Sequence, residues 1–284
     1  MTITIDIEPL SDVLGVAVRG IDLRQEVDEG TQDELQDLFA RHCVLCFPDQ
    51  KISAADQRRF AALFGRVDGA YRSKSSGDLK ESATRGVMLV SNIRKDGKPI
   101  GSLPDGEMMF HSDGAHRQYP YRATTLFGIR IPSTGGNTLF ANLQAAYDAL
   151  SPEMKERIEN LETQTVYDYA AQNRGTIGED STLPRARHAL VKTHPVTGRK
   201  SLYLSRLMTE KILDLDREES EALLAVLFDH AEKPEFVYSH KWTPGDLVIW
   251  DNRSTNHART DFPEEEQRLL RRYTVSDPAA PLGN

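Results

Sequence analysis

From residue 87 onward the apolar segments are short, and that feature limits the fold more than any other in this 284-residue chain. Most are too short for a helix and are rich in Val, Ile, Leu, Phe and Tyr, residues that suit a pleated, half-buried surface. They predict strands over 87–91, 124–131, 138–141, 189–193, 201–204, 236–240, 247–250 and 269–275. Turn signals such as Ser133-Thr-Gly-Gly and Thr243-Pro-Gly-Asp punctuate them. About eight short strands separated in this way favour a two-sheet roll over a parallel α/β sheet. The expected fold is mainly β with flanking helices.

Four helices are expected around the strands. Thr31 and Glu34 form a capping-box pattern ahead of Leu35, Leu38 and Phe39, which predicts an amphipathic helix over 31–42. A second opens at Ser53, carries Phe60, Leu63 and Phe64 on one face, and stops at Gly65. A third is capped by Ser151, has Pro152 at its first position and runs through Met154, Ile158 and Leu161; a fourth begins near Asp216 and carries Leu223, Val226 and Leu227. No repeat, low-complexity tract or linker divides the chain, so residues 1–284 are expected to form one domain. Two stretches, 69–86 with Tyr71, Arg72, Lys74 and Lys80, and 168–187, are polar and aperiodic. Long loops of that kind in a compact domain act as lids or stay disordered, which makes both candidate covers for a substrate.

A formal net charge of -8 argues against a polyanion-binding surface, because phosphate backbones attract proteins mainly through Lys and Arg. No nucleic-acid partner is expected. The first residues lack the basic start and continuous apolar run of a signal peptide, and no later stretch reaches membrane-spanning length. A cytoplasmic protein without a membrane partner is expected, and the composition is compatible with a homo-oligomer. The two cysteines, Cys43 and Cys46, have C-x-x-C spacing, which invites a redox or zinc reading. Cys43-Val-Leu-Cys-Phe-Pro reads as a strand, however, and residues i and i+3 of a strand point to opposite faces. With no second pair to complete a zinc site, both are expected to be buried apolar fillers.

The chemistry concentrates in two segments. In Phe110-His111-Ser112-Asp113-Gly114, an extended backbone would project His111 and Asp113 on one face, within reach of a single ion. H-x-D is a common tripeptide and needs a third ligand. Gly245-Asp-Leu-Val-Ile-Trp-Asp-Asn-Arg-Ser-Thr-Asn-His257 supplies one: a turn, a buried strand, then a polar loop delivering His257. Two histidines and a carboxylate on one face of an octahedron leave positions open for a chelating cosubstrate and O2, as in non-haem Fe(II) oxygenases. Arg268 and Arg272 follow in a segment that otherwise reads as a strand, where alternation puts both on one face. Two inward arginines need anions to balance them.

Taken in order, these motifs resemble the family of taurine and 2,4-dichlorophenoxyacetate dioxygenases, Fe(II)/2-oxoglutarate enzymes with a double-stranded β-helix, or jelly-roll, core. His111-Ser-Asp113 resembles the family's H-x-D pair, and Trp250-Asp-Asn-Arg-Ser-Thr-Asn-His257 its distal-histidine box. Pro132-Ser-Thr-Gly-Gly-Asn-Thr138-Leu-Phe and Thr193-His-Pro-Val-Thr-Gly-Arg-Lys-Ser-Leu-Tyr are similar to two further family segments, and the motifs together cover rather more than half of the chain. The resemblance implies that His111, Asp113 and His257 hold iron, and that Thr138 and Arg268 hold the 5-carboxylate of 2-oxoglutarate. It implies an O2-dependent reaction that hydroxylates a small substrate and releases succinate and CO2. Related halogenating enzymes replace the carboxylate ligand by a small residue, so the intact Asp113 favours hydroxylation. Arg272 matches the family position that binds a sulfonate or carboxylate, which implies an anionic substrate. Taurine-like members use a histidine and an asparagine to hold the substrate, where the corresponding stretches here offer Tyr71 and Glu107. Taurine itself is therefore disfavoured.

Plainer readings stand beside these. Arg272 could be a structural ion pair, and Arg271 should face the other way and be solvated. His116 reads as an outer or surface residue, and His42, His188, His194, His230 and His240 show no spacing that suggests ligands; His230 could cap its own helix. Trp250, Asp251 and Asn252 are expected to shape the loop that carries His257. Two rival functions remain open at this point: a metal-dependent hydrolase using the same three ligands, and a noncatalytic β-roll that binds a small anion.

Overall fold

The computed structural model describes residues 5–68, 87–102, 106–167 and 182–281. Its centre is two facing sheets. The larger has eight strands in the order Asp6–Pro9, Val16–Arg19, Val44–Phe47, Leu247–Asp251, Tyr121–Arg130, Leu269–Ser276 and Arg66–Val67, with Met88–Ser91 also paired to Leu269–Ser276. All its pairings are antiparallel except Val16–Arg19 with Val44–Phe47. The smaller sheet runs Val237–His240, Thr138–Asn142, Thr255–Arg259, Met108–His111. Strands distant in sequence are neighbours in both sheets, which is the jelly-roll arrangement expected from the sequence.

Side-chain alternation divides the larger sheet between two cores. Val44, Cys46, Leu126, Val248, Trp250 and Leu270 face the smaller sheet and meet Phe140 and Tyr238 from it, with Trp242 just beyond its Val237–His240 strand. Leu45, Phe47, Phe127, Ile249, Tyr273 and Val275 point the other way, against Leu35, Leu38, Phe39, Phe60 and Phe64 of the N-terminal helices. A sheet covered on both faces explains why Leu247–Asp251 is buried at every position. A third cluster packs Leu223, Leu224, Leu227 and Phe228 of the Arg217–Ala231 helix against Leu143, Ala146 and Tyr147. Among the described residues no helix is long and apolar enough to cross a membrane.

Several expectations needed correction. The first helix spans Glu29–His42, and Asp28 caps it by accepting from the Thr31 backbone; Thr31 lies inside the helix and does not open it. Ser53 does open Ala54–Ala61, with Asp56 completing the capping box. The helix capped by Ser151 stops at Ile158, so Leu161 lies beyond it and Glu162–Val166 is a strand. Residues 189–193 form no single strand: Arg185–Ala189 pairs with Glu162–Val166, and Val191–Thr193 pairs with Lys200–Leu202. The expected cover at 69–86 lies outside the described residues, as does most of 168–187, whose last residues enter the Arg185–Ala189 strand. Cys43 caps the first helix at φ 63 and is not a strand residue, which removes the opposite-face argument. Both thiols are nonetheless free and buried.

Candidate active site

The smaller sheet brings the two imidazoles together. His111 ends the Met108–His111 strand and pairs in register with His257 on Thr255–Arg259, the segment read from the sequence as a polar loop. Directly opposed residues of antiparallel strands are the closest cross-strand neighbours, and here the ring centroids are 4.1 Å apart. Asp113 lies past the strand end, so strand alternation is not what aims it. Thr124 Oγ1 donates to Asp113 Oδ2 at 2.6 Å, and the Asp113 backbone N–H donates to Asn252 Oδ1 at 3.3 Å. Gly114 follows at φ 73, and a Cβ there would meet the Tyr121 ring at 2.8 Å, so this turn requires glycine. The His111 and His257 Nε2 atoms stand 4.0 and 3.8 Å from the Asp113 carboxylate, and one ligating atom from each residue fits within 4.8 Å of the others.

The protonation states suit metal ligation. His111 Nδ1 sits 2.9 Å from the Met109 carbonyl, which assigns the ring proton to Nδ1 and leaves the Nε2 lone pair towards Asp113. Burial lowers the pKa of His111, and burial together with His111 lowers that of His257 further, so both rings are held neutral. For Asp113 burial acts in the opposite direction, but the Arg272 cation and the Thr124 hydroxyl lower it, and the carboxyl is held well below its usual range. A neutral pair of imidazoles facing an ionised carboxylate is a donor set that fits a divalent cation.

Behind these ligands is a polar network in which every group has a fixed task. Asn252 accepts from Trp250 Nε1 at 3.0 Å and donates to Thr124 Oγ1 at 3.0 Å; Thr124 in turn donates to Asp113. Asp251 is fully buried, gripped by Arg253 through both carboxylate oxygens at 2.9 and 3.0 Å, and accepts from His194 Nε2 at 2.9 Å. His194 Nδ1 accepts the Thr197 N–H, which fixes that tautomer. The Trp250-Asp251-Asn252 cluster thus shapes the loop before His257, as expected, while Thr124 draws no attention in the sequence and His194 shows no ligand spacing there. Burial raises the Asp251 carboxyl, yet Arg253 and His194 bring it down to about 2 from 3.8. Because the ionised form is favoured in the fold, this stabilisation is complete above pH 3.8 and is lost as pH falls towards 2. Asp251→Asn should therefore cost about 2 kcal/mol at neutral pH. Urea unfolding from about pH 5 down to 2 should show the gap between variant and wild type closing; a constant gap would contradict this role.

The arginines are placed differently from each other. A bulge between Leu269 and Leu270 precludes simple alternation, and Arg268 precedes the strand. Its guanidinium is 2% exposed and donates only to the Gly136 carbonyl, at 3.3 and 3.2 Å, with no carboxylate partner among the described residues. Burial, aided by Arg259, lowers its pKa to about 9, the mark of a buried cation short of an anion. Gly136 makes room for it: a Cβ there would lie 3.1 Å from Arg268 Nε. Thr138 is buried and accepts from Trp242 Nε1 at 3.0 Å, so its own hydroxyl proton remains available to donate. Arg272 instead reaches Asp113, with Nη2 2.6 Å from Oδ1, which is the structural ion-pair alternative realised at the site itself. Arg271 is not solvated as expected; it bonds Gln57 at 2.7 Å and the Ile52 carbonyl at 3.0 Å. Glu107 is exposed, and Tyr71 lies outside the described residues. His116 stacks on Tyr167, and His230 meets the Ala146 carbonyl at 2.8 Å, on another helix rather than its own.

A jelly roll with two imidazoles and one carboxylate converging at the end of its smaller sheet has the arrangement of the non-haem Fe(II) oxygenase class. Residues 6–274 match the family described as taurine catabolism dioxygenase TauD, TfdA family, and the chain belongs to that family. The (S)-phenoxypropionate/alpha-ketoglutarate-dioxygenase of Sphingobium herbicidovorans is 32% identical, covering 99% of this chain and 98% of its own. Pentalenolactone F synthase of Streptomyces arenae is 33% identical, with 94% of each chain covered. The crystal structure of AAD-2 in complex with Mn(II) and N-oxalylglycine aligns at a TM-score of 0.82 and 35% identity, covering 99% of both chains. In that complex Mn(II) stands in for Fe(II) and N-oxalylglycine for 2-oxoglutarate. The protein is a 2-oxoglutarate-dependent oxidoreductase, and dioxygenases of this kind use Fe(II), 2-oxoglutarate and O2.

Proposed function

We propose that this enzyme hydroxylates a small carboxylate or sulfonate, with His111, Asp113 and His257 holding Fe(II), Arg268 and Thr138 holding the cosubstrate, and Arg272 selecting the substrate anion. When bound, iron with 2-oxoglutarate and O2 supplies the oxidation that yields succinate, CO2 and an oxygenated product. The observation that carries the reading is the buried Arg268 guanidinium without a carboxylate partner among the described residues, bonded only to the carbonyl of Gly136, two residues before Thr138. A dicarboxylate offers it a charge-assisted pair at one end while the other end reaches the metal. A hydrolase would leave Arg268 without a function.

Substrate selection rests on Arg272. A divalent cation and the Arg272 guanidinium compete for the same carboxylate, so metal loading weakens the pair with Asp113 and frees the guanidinium for an incoming anion. The name of the phenoxypropionate dioxygenase, a carboxylate-bearing substrate, agrees with an anionic preference. The synthase at similar identity is named for a different product, so identity alone does not select the substrate. A screen of small carboxylates and sulfonates, read by succinate formation, should return an anion. With that substrate, Arg272→Met should weaken substrate binding by about 1.5 to 3 kcal/mol, roughly tenfold to a hundredfold, and leave 2-oxoglutarate affinity nearly intact. A neutral best substrate, or a loss confined to 2-oxoglutarate, would return Arg272 to a purely structural role.

A further inference from the structure

One other group of ligating side chains converges among the described residues, and it shares nothing with the first: Cys46, His240 and Asp246. Their donor atoms lie within 4.8 Å of one another, and the residues are 4%, 4% and 5% exposed. No sequence spacing links His240 to a partner; the fold does. Cys46 pairs with Val248 and faces the space between the sheets, and Asp246 immediately precedes the Leu247–Asp251 strand. His240 ends the first strand of the smaller sheet, so the cluster draws on both layers.

The hydrogen bonding of His240 is what points to a ligand. Nδ1 lies 3.0 Å from the Tyr238 hydroxyl, the kind of contact that fixes a ligating imidazole's tautomer and aims Nε2. Nε2 is buried and has no hydrogen-bond partner, although Asp246 Oδ2 is only 3.4 Å away. Buried ring nitrogens are rarely left unpaired. Two ligands about 2.0 to 2.1 Å from a tetrahedral cation stand about 3.3 Å apart, close to this separation. Asp246 is held in place by the Thr243 N–H, which donates at 2.7 Å to the same Oδ2 that faces His240. Metal binding releases the Cys46 thiol proton to solvent as the chain folds; thiolate, imidazole and carboxylate together then suit zinc, and the two negative charges neutralise the divalent ion, a condition for burying it.

We propose that Cys46, His240 and Asp246 form a second, structural site for a thiophilic divalent cation, best suited to zinc, which clips the two sheets together. The clip lies beside the cosubstrate residues, because the Trp242 ring stands 4.6 Å from His240 and its N–H bonds Thr138. Metal enters as the chain folds, since all three ligands are buried.

The full-length chain expressed in cobalt-supplemented medium tests this, because cobalt at a site of two imidazoles and a carboxylate has no thiolate ligand. The wild type should carry a second equivalent of cobalt and a near-ultraviolet thiolate-to-cobalt charge-transfer band, both of which survive removal of the metal at His111, Asp113 and His257. Cys46→Ser should lose the band and one equivalent. Only two cysteines exist, so a band retained in Cys43→Ser assigns it to Cys46 even where Cys46→Ser does not fold. A wild type with no thiolate band, or with all its metal lost in His111→Ala, overturns the proposal while leaving the iron reading untouched.

Discussion

Alanine at His111, Asp113 or His257 is expected to abolish iron-dependent 2-oxoglutarate turnover. Each residue provides one of three ligating atoms within 4.8 Å, and none of the other described residues near them offers a replacement. Loss of an outer-shell partner at a metal site typically costs about 10- to 100-fold, so removing a ligand should cost more. Asp113→Ala should be the most damaging, because it also leaves Arg272, which is 2.6 Å from that carboxylate, without its partner. Iron content and succinate formation should fall together in all three variants. Full activity in any one of them would remove that residue from the site.

Arg268→Ala is expected to raise the 2-oxoglutarate requirement at least tenfold. The guanidinium is buried with only the Gly136 carbonyl to satisfy it, so a carboxylate bound there completes the charge pair. Deleting one member of a desolvated charge pair costs about 2 to 5 kcal/mol, and about 1.4 kcal/mol is already tenfold. Arg268→Lys should recover only part of the loss, since an ammonium lacks the planar fork that matches a carboxylate. Titration of 2-oxoglutarate at saturating iron checks this, and an unchanged requirement contradicts the assignment.

The site was legible where chemistry and spacing coincide in the sequence. His111 and Asp113 stand two apart, and His257 follows a strongly apolar strand, so the ligand types announce themselves in order. The geometry that joins them was less visible. Thr255–Arg259 is polar enough to read as a loop, yet it is a largely buried strand, with Asn256 Nδ2 donating to the Leu204 carbonyl at 2.8 Å. Thr124 looks like an ordinary strand residue and becomes the Asp113 anchor only through tertiary contact. The Leu143–Asp148 helix, capped by Asn142, is too short to show a period. Arg271 was assigned to solvent by alternation, but the larger sheet is covered on both faces, and Gln57 from a helix meets it. Cys46 and His240 are separated by most of the chain and lie in different sheets, so only the packing of one sheet on the other brings them together.

On the proposed assignment, the His111, Asp113 and His257 cluster holds iron for 2-oxoglutarate oxidation. The most direct measurement follows 2-oxoglutarate consumption and succinate release by the metal-stripped protein as Fe(II) is added back in the presence of O2, alongside Asp113→Ala. Succinate should form in proportion to the 2-oxoglutarate consumed, rise to a plateau at one Fe(II) per three-residue cluster, and be absent in the variant. Turnover that persists without iron, or is equal in Asp113→Ala, would contradict the account.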